Sequence, residues 1–123
     1  MLQKCENFRS AVVRLSEALA EYVQHPASTV VRDGVIQRFE FTFELAWKSL
    51  RAYMEDQGAS VDAMFSKQVF KAAYAAELID DPQVWLDMLN SRNITSHVYD
   101  DAQAAQVVEA IRDRYMGPLM ALA

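Results

Sequence analysis

Between Arg92 and Asp100 the chain reads Arg92-Asn93-Ile94-Thr95-Ser96-His97-Val98-Tyr99-Asp100. An arginine, an amide, two hydroxyls, a histidine and a tyrosine fall within these nine positions, and His97 is one of only two histidines in the chain. The set suits chemistry on a phosphate. A guanidinium supplies fixed positive charge, an imidazole moves protons near neutral pH, and a phenol can accept a transferred group. The plainer reading makes Arg92 a surface charge and His97 a helix-end residue.

Spacing constrains how these groups could meet. Arg92 and His97 are five residues apart, which on a straight helix is about 140° of rotation and about 7.5 Å of rise. They would not share a face, whereas Asn93 and His97, four apart, would. Tyr99 would lie about 200° from His97 if the helix continued. The set converges under one of two conditions. Either the helix ends near Ser96, as Asp100-Asp101 just beyond suggests, or a second copy of the chain supplies part of the site. Arg92 reaches about 6–7 Å beyond its backbone, so both routes are sterically open.

The elements that must position this stretch read as helices. Cys5, Phe8, Val12, Leu15, Leu19 and Tyr22 form one apolar stripe that should stop at His25, before Pro26. The longest segment runs from about Val30 to Gln57, with Gly58 as its stop. Val35, Ile36, Phe39, Phe43, Ala46, Trp47, Leu50, Tyr53 and Met54 fall within about one third of its circumference, a full core face. Gln37, Glu40, Glu44, Lys48 and Arg51 cover the next sector, with Glu44 and Lys48 spaced as an i,i+4 pair. Phe41, Leu45 and Ala52 form a second, narrower apolar strip. Two apolar sides imply either an interface with another chain or cover from the segment after Gly58.

After a loop over Ala59–Phe65, Ser66 is placed to cap a short helix through about Leu78, with Val69, Phe70, Ala73 and Tyr74 inward. Asp80-Asp81-Pro82 marks a new start. The helix that follows buries Val84, Trp85, Met88, Leu89 and in this reading Ile94, and runs into the polar stretch. Asp100 or Asp101 caps the last helix, whose stripe is Ala104, Val107 or Val108, Ile111 and Tyr115; Gly117-Pro118 should bend or end it. Four substantial helices, one short one and short links predict an all-α, up-and-down four-helix bundle.

The totals agree. The chain has 123 residues, 52% of them apolar, with three glycines and three prolines. That suits one domain over residues 1–123 and disfavours a sandwich or barrel built on many tight turns. Cys5 is the only cysteine, so no internal disulfide can form. With no signal peptide and no apolar run of membrane length, the expected location is cytoplasmic and no membrane contact is foreseen. A net charge of −5 argues against sequence-blind binding of nucleic acid over a broad surface, though not against a local basic site. There is no glycine-rich phosphate loop and no Cys/His metal spacing, so neither cofactor nor metal is foreseen.

Arg92-Asn93 followed at His97 resembles the Arg-x4–6-His signature of HEPN domains, and Tyr99 extends it to Arg-x4-His-x-Tyr, similar to the HepT-type toxins. The run Arg32-Asp33-Gly34-Val35-Ile36-Gln37-Arg38-Phe39-Glu40-Phe41-Thr42-Phe43-Glu44-Leu45-Ala46-Trp47-Lys48 resembles a narrower group, the nucleotidyltransferase substrate-binding proteins. So does Asn90-Ser91 leading into Arg92–Asp100, and the likeness extends from about Phe8 to Tyr115. The resemblance implies a dimeric HEPN bundle in which Arg92, Asn93 and His97 cleave RNA without metal. It implies a minimal nucleotidyltransferase, encoded nearby, that silences the nuclease by transferring AMP to Tyr99. The homodimer would use Phe41 and Leu45, and Glu40, Glu44 and Lys48 are candidates for contact with a partner or substrate. The alternative is a non-catalytic subunit that presents a substrate or nucleotide to the transferase.

Overall fold

The structure is a computed structural model and describes residues 2–123, with the side chain of Leu2 excepted. The first apolar stripe folds as helix α1 (Leu2–Gln24), which ends two residues before Pro26. Phe8, Val12, Leu15 and Leu19 are buried on it, with Ala11 and Ala18 filling between them, while Cys5 and Tyr22 are half-buried. Helix α2 (Thr29–Asp56) begins where the Ser28 side chain accepts the Val31 N–H at 3.2 Å. It closes at Gly58, whose φ of 95° only glycine adopts without strain. There the Gly58 and Ala59 N–H groups fold back onto the carbonyls of Glu55 and Met54, each at 3.0 Å.

Helices α3 (Ser66–Ala75), α4 (Pro82–Thr95), α5 (Asp101–Ala110) and α6 (Met116–Leu122) complete the chain, and a wide π-helical turn (Ile111–Tyr115) joins the last two into one arm. The architecture is the expected all-α, up-and-down four-helix bundle with one additional short helix, α3. Helix α2 is its axis, packed against α1, α3, α4 and α5. An aromatic chain crosses the core: Tyr115 stacks on Phe39 at 5.6 Å, Phe39 meets Phe43 at 6.2 Å, Phe43 meets Phe70 at 5.6 Å, and Phe70 stacks on Trp85 at 5.2 Å. Such pairs each add about 0.5–1.5 kcal/mol beyond simple burial. Polar groups register α1 on α2. Thr42 donates to the Arg38 carbonyl at 2.6 Å and lies 3.3 Å from that of Ala11, and Ser49 donates to the Lys4 carbonyl at 3.2 Å. No helix among the described residues is long and apolar enough to cross a membrane.

Several local expectations need correction. Tyr74, placed inward on α3, is 51% exposed. Tyr53, placed on the core face, is 40% exposed, lining an open cleft with Cys5, Phe8, Leu78 and Leu122. Ser66 does not cap α3. It is the helix's first residue, and Phe65 holds the capping position with its N–H donated to Gln68 Oε1 at 3.2 Å. That helix ends at Ala75 rather than near Leu78, because Glu77 takes a left-handed φ of 61°. The Leu78 N–H then reaches back to the Ala73 carbonyl at 2.9 Å, and Ile79 is buried. Finally, of the two outcomes expected at Gly117-Pro118, a bend or an end, the arm does not end there. A regular helix would drive the Pro118 ring onto the Arg114 carbonyl. The chain instead widens upstream, with Met116 N–H bonded to the carbonyl of Ile111, five residues back, and Pro118 falls in the first turn of α6.

Candidate functional site

The polar stretch is carried by the C-terminal half of α4. Asp81 starts this helix by accepting the Gln83 N–H at 3.0 Å, with Pro82 as first residue. Its inner face then changes chemistry along its length. Val84, Trp85 and Met88 are buried in the core, and Ser91 and Thr95 are buried one and two turns further on. Ile94, expected inside, is 36% exposed, because the hydroxyl side of this last turn faces the bundle instead. Ser91 Oγ lies 2.8 Å from the Tyr115 hydroxyl. Thr95 Oγ1 is within bonding distance of Glu40 Oε2 (3.1 Å) and of the Arg92 carbonyl (3.2 Å). These two contacts fix the end of α4 against α2 and the last arm.

Arg92 sits between them, its side chain 29% exposed, with Nε 3.3 Å from Glu44 Oε1. That nitrogen is shielded from solvent and makes no directed hydrogen bond, so the contact is ionic attraction alone. The other Glu44 oxygen accepts the Trp47 indole N–H at 3.1 Å and lies 3.9 Å from Lys48 Nζ. Glu40 and Glu44 are therefore more than solvated helix charges: each holds a residue of α4's last turns. Asn93 lines an open groove together with Arg92, Lys48, Trp47 and Phe65.

Helix α4 ends at Thr95, and the Ser96 hydroxyl closes the turn onto the Asn93 carbonyl at 2.8 Å. His97 and Val98 beyond it are exposed. Tyr99 turns back to the start of α2, where its half-buried hydroxyl donates to Asp33 Oδ1 at 3.4 Å. Burial holds the phenol's pKa above its ordinary value, the negative charge and hydrogen bond of Asp33 add to this, and Arg32 opposes it. Arg32 is committed to carboxylates on both sides, with Nη1 2.9 Å from Asp101 and Nε 3.0 Å from Asp33. Asp100 caps α5, accepting the Gln103 N–H at 2.7 Å while the Gln103 side chain accepts the Asp100 N–H at 3.1 Å.

The fold thus brings Arg92 and Asn93 to one groove and His97 and Tyr99 to the adjoining loop. Among the described residues, no hydrogen bond or ion pair joins His97 or Tyr99 to Arg92 within the chain. Phe41 is 40% exposed beside Gln37, Glu40, Glu44 and Arg92, and Leu45 is half-buried against the core. Sequence reasoning assigned no part to Asp33, the acceptor for Tyr99. A signal was present. Glu40 and Glu44 follow Asp33 by seven and eleven residues, which places each within about 20° of it around the helix.

A family profile described as "Nucleotidyltransferase substrate binding protein like" matches residues 3–123. A Haemophilus influenzae protein named as a probable ribonuclease HepT is 35% identical over 83 residues, covering 65% of this chain and 57% of that protein. The chain therefore matches under three-fifths of that curated relative's length. Among solved structures, a Haemophilus influenzae chain, described as the fold of a substrate binding domain of a nucleotidyltransferase, superposes with a TM-score of 0.81 at 26% identity, covering 95% of this chain and 94% of that one. A Thermus thermophilus protein of known crystal structure gives 0.66 at 32% identity over 87% of this chain and 96% of its own. With the long second helix and the Arg92–Tyr99 stretch both inside the matched span, the chain belongs to the nucleotidyltransferase substrate-binding-protein-like family.

Proposed function

We propose that the chain is the HepT-type partner of a minimal nucleotidyltransferase: a metal-independent endoribonuclease of a toxin–antitoxin pair, silenced by AMP transfer to Tyr99. The observation that carries this reading is the end of α4 at Thr95, between Arg92 and His97. It frees the imidazole from the helix face, the first of the two conditions under which the set can act together. His97 removes the proton of a ribose 2′-hydroxyl, whose oxygen attacks the adjacent phosphorus. The 5′-oxygen leaves as the imidazolium returns that proton to it, giving a 2′,3′-cyclic phosphate end. Arg92 balances charge on the phosphate and Asn93 holds it or orients the imidazole. Phe41 and Leu45 dock a second copy, whose loop completes the site.

In silencing, the Tyr99 oxygen attacks the α-phosphorus of ATP, pyrophosphate leaves, and the phenol proton is released. The new phosphodiester puts negative charge beside Asp33, so the loop loses its present contact with α2 and carries His97 with it. The second reading, a non-catalytic subunit presenting a substrate or nucleotide, is favoured by the Glu44 carboxylate that already faces Arg92. Cleavage assays with wild type and His97→Ala separate the two. Cleavage lost in a folded His97→Ala variant is the expected outcome. Wild-type protein that leaves RNA intact and acts only with the transferase supports the second reading instead. Intact mass after incubation with the transferase and ATP should show added AMP on wild type and none on Tyr99→Phe.

A further inference from the structure

The chain is acidic overall, with a net charge of −5, yet one groove has the opposite balance. Between α2, the turn before α3 and the last turns of α4 lies an open groove of about 560 Å³, the size of an ordinary small-molecule site. Lys48, Arg51 and Arg92 line it against a single carboxylate, Glu44. At its rim Phe65 is 72% exposed, a large ring that the core does not use. The ring is held, not loose. The Phe65 N–H is bonded to Gln68, Arg51 donates to the adjacent Met64 carbonyl at 2.9 Å, and the ring centroid is 6.4 Å from that of Trp47. Arg51 packs over the Trp47 indole, its guanidinium carbon 5.0 Å from the ring centre, and Lys48 Nζ lies 5.7 Å from it. Arg92 lines this groove with a side chain 29% exposed; its Nε is buried against Glu44, and its terminal nitrogens make no hydrogen bond among the described residues.

A presented aromatic ring beside converging cations is the arrangement that takes a base on its π-face and a phosphate on its charges. We propose that this groove is a subsite for one nucleotide of single-stranded RNA, with its base on Phe65 and its phosphate between Lys48 and Arg92. The inference rests on the ribonuclease reading above and names the strand that reading would cleave. An entering phosphate replaces the undirected Glu44–Arg92 attraction with paired, directed bonds. The acidic remainder of the surface confines the strand to this path, which reconciles a negative chain with a polyanionic substrate. Stacking is indifferent to base identity, so the subsite sets affinity and register, not sequence.

The test uses full-length wild-type protein and a fluorescein-labelled single-stranded oligonucleotide with 2′-O-methyl riboses, which bind without being cut. Anisotropy should report salt-dependent binding. Phe65→Ala and Phe65→Leu should weaken it at least about tenfold, with Phe65→Tyr close to wild type. Lys48→Gln should reduce the salt slope by about 0.7. Phe65 is exposed, so these variants should keep the helical circular dichroism of the parent. No binding by wild type, or equal affinity in Phe65→Ala and Lys48→Gln, overturns the subsite. So does AMP alone competing as strongly as the oligonucleotide. Cleavage of unmodified RNA is scored separately. Binding through Phe65 without cleavage leaves the subsite standing and removes the nuclease; cleavage with an unchanged KM in Phe65→Ala does the reverse.

Discussion

Two arginines meet carboxylates of α2, and their surroundings differ. Arg32, on α2 itself, is only 14% exposed and is bonded to Asp33 and Asp101, with the Tyr99 hydroxyl closing the cluster onto Asp33. Arg92, reaching α2 from α4, has one carboxylate at ionic distance, a buried Nε with no hydrogen bond, and an open groove beside it. A guanidinium with all its partners in place holds parts of a protein together. One left short of partners keeps its capacity for a ligand. The first cluster docks a loop, and the second is where a phosphate gains the most.

The sharpest way to break this contrast is to delete each arginine. Arg92→Ala should lower RNA cleavage about 10²–10³-fold, measured as kcat, the scale expected for losing a donor to a developing charge. Its urea midpoint should stay near wild type. Arg32→Ala should do the opposite, costing about 1 kcal/mol in urea unfolding, a modest figure because Asp101 is almost fully exposed. Cleavage there should remain close to wild type, and an exchange of these two outcomes would end the distinction.

A smaller effect sharpens the Arg32 side. The Tyr99 phenol is held above its ordinary pKa, so the native state binds that proton more tightly than the unfolded chain does. The stabilisation is complete below about pH 10 and is lost as pH rises through the raised native value. Unfolding midpoints between pH 8 and 11 should therefore fall more steeply for wild type than for Tyr99→Phe; parallel curves would show that the loop is not docked through this hydroxyl. The smallest effect belongs to Glu44→Gln. Stability should change by less than about 1 kcal/mol, since Lys48 and Trp47 keep the amide occupied. RNA binding should tighten as the competing charge disappears.

The helices were legible because periodic burial and turn chemistry are local. Val35 to Met54 repeat at helical spacing, Gly58 permits the left-handed closure, and Asp81-Pro82 opens α4. Glu77 escaped that logic, since a glutamate carries no sign that it will take the conformation Gly58 takes. The candidate site was legible in residue type and in the helix end near Ser96. It was not legible in pairing. Glu44 with Arg92, Glu40 with Thr95 and Asp33 with Tyr99 join residues 48 to 66 positions apart, and only the packing of α4 on α2 decides which carboxylate meets which donor.

The wide turn before α6 ties residue count to the height of the groove. It inserts a fraction of an extra turn and so aims Tyr115 at both Phe39 and Ser91, the neighbour of Arg92. Rewinding these same residues as an ordinary α-helix would rotate everything downstream by about 100°. Leu119 would swing out of the interior, and Ser91 would lose its hydroxyl partner. In this chain a change of winding near the C-terminus is thus felt more than twenty positions upstream, beside the Arg92 guanidinium.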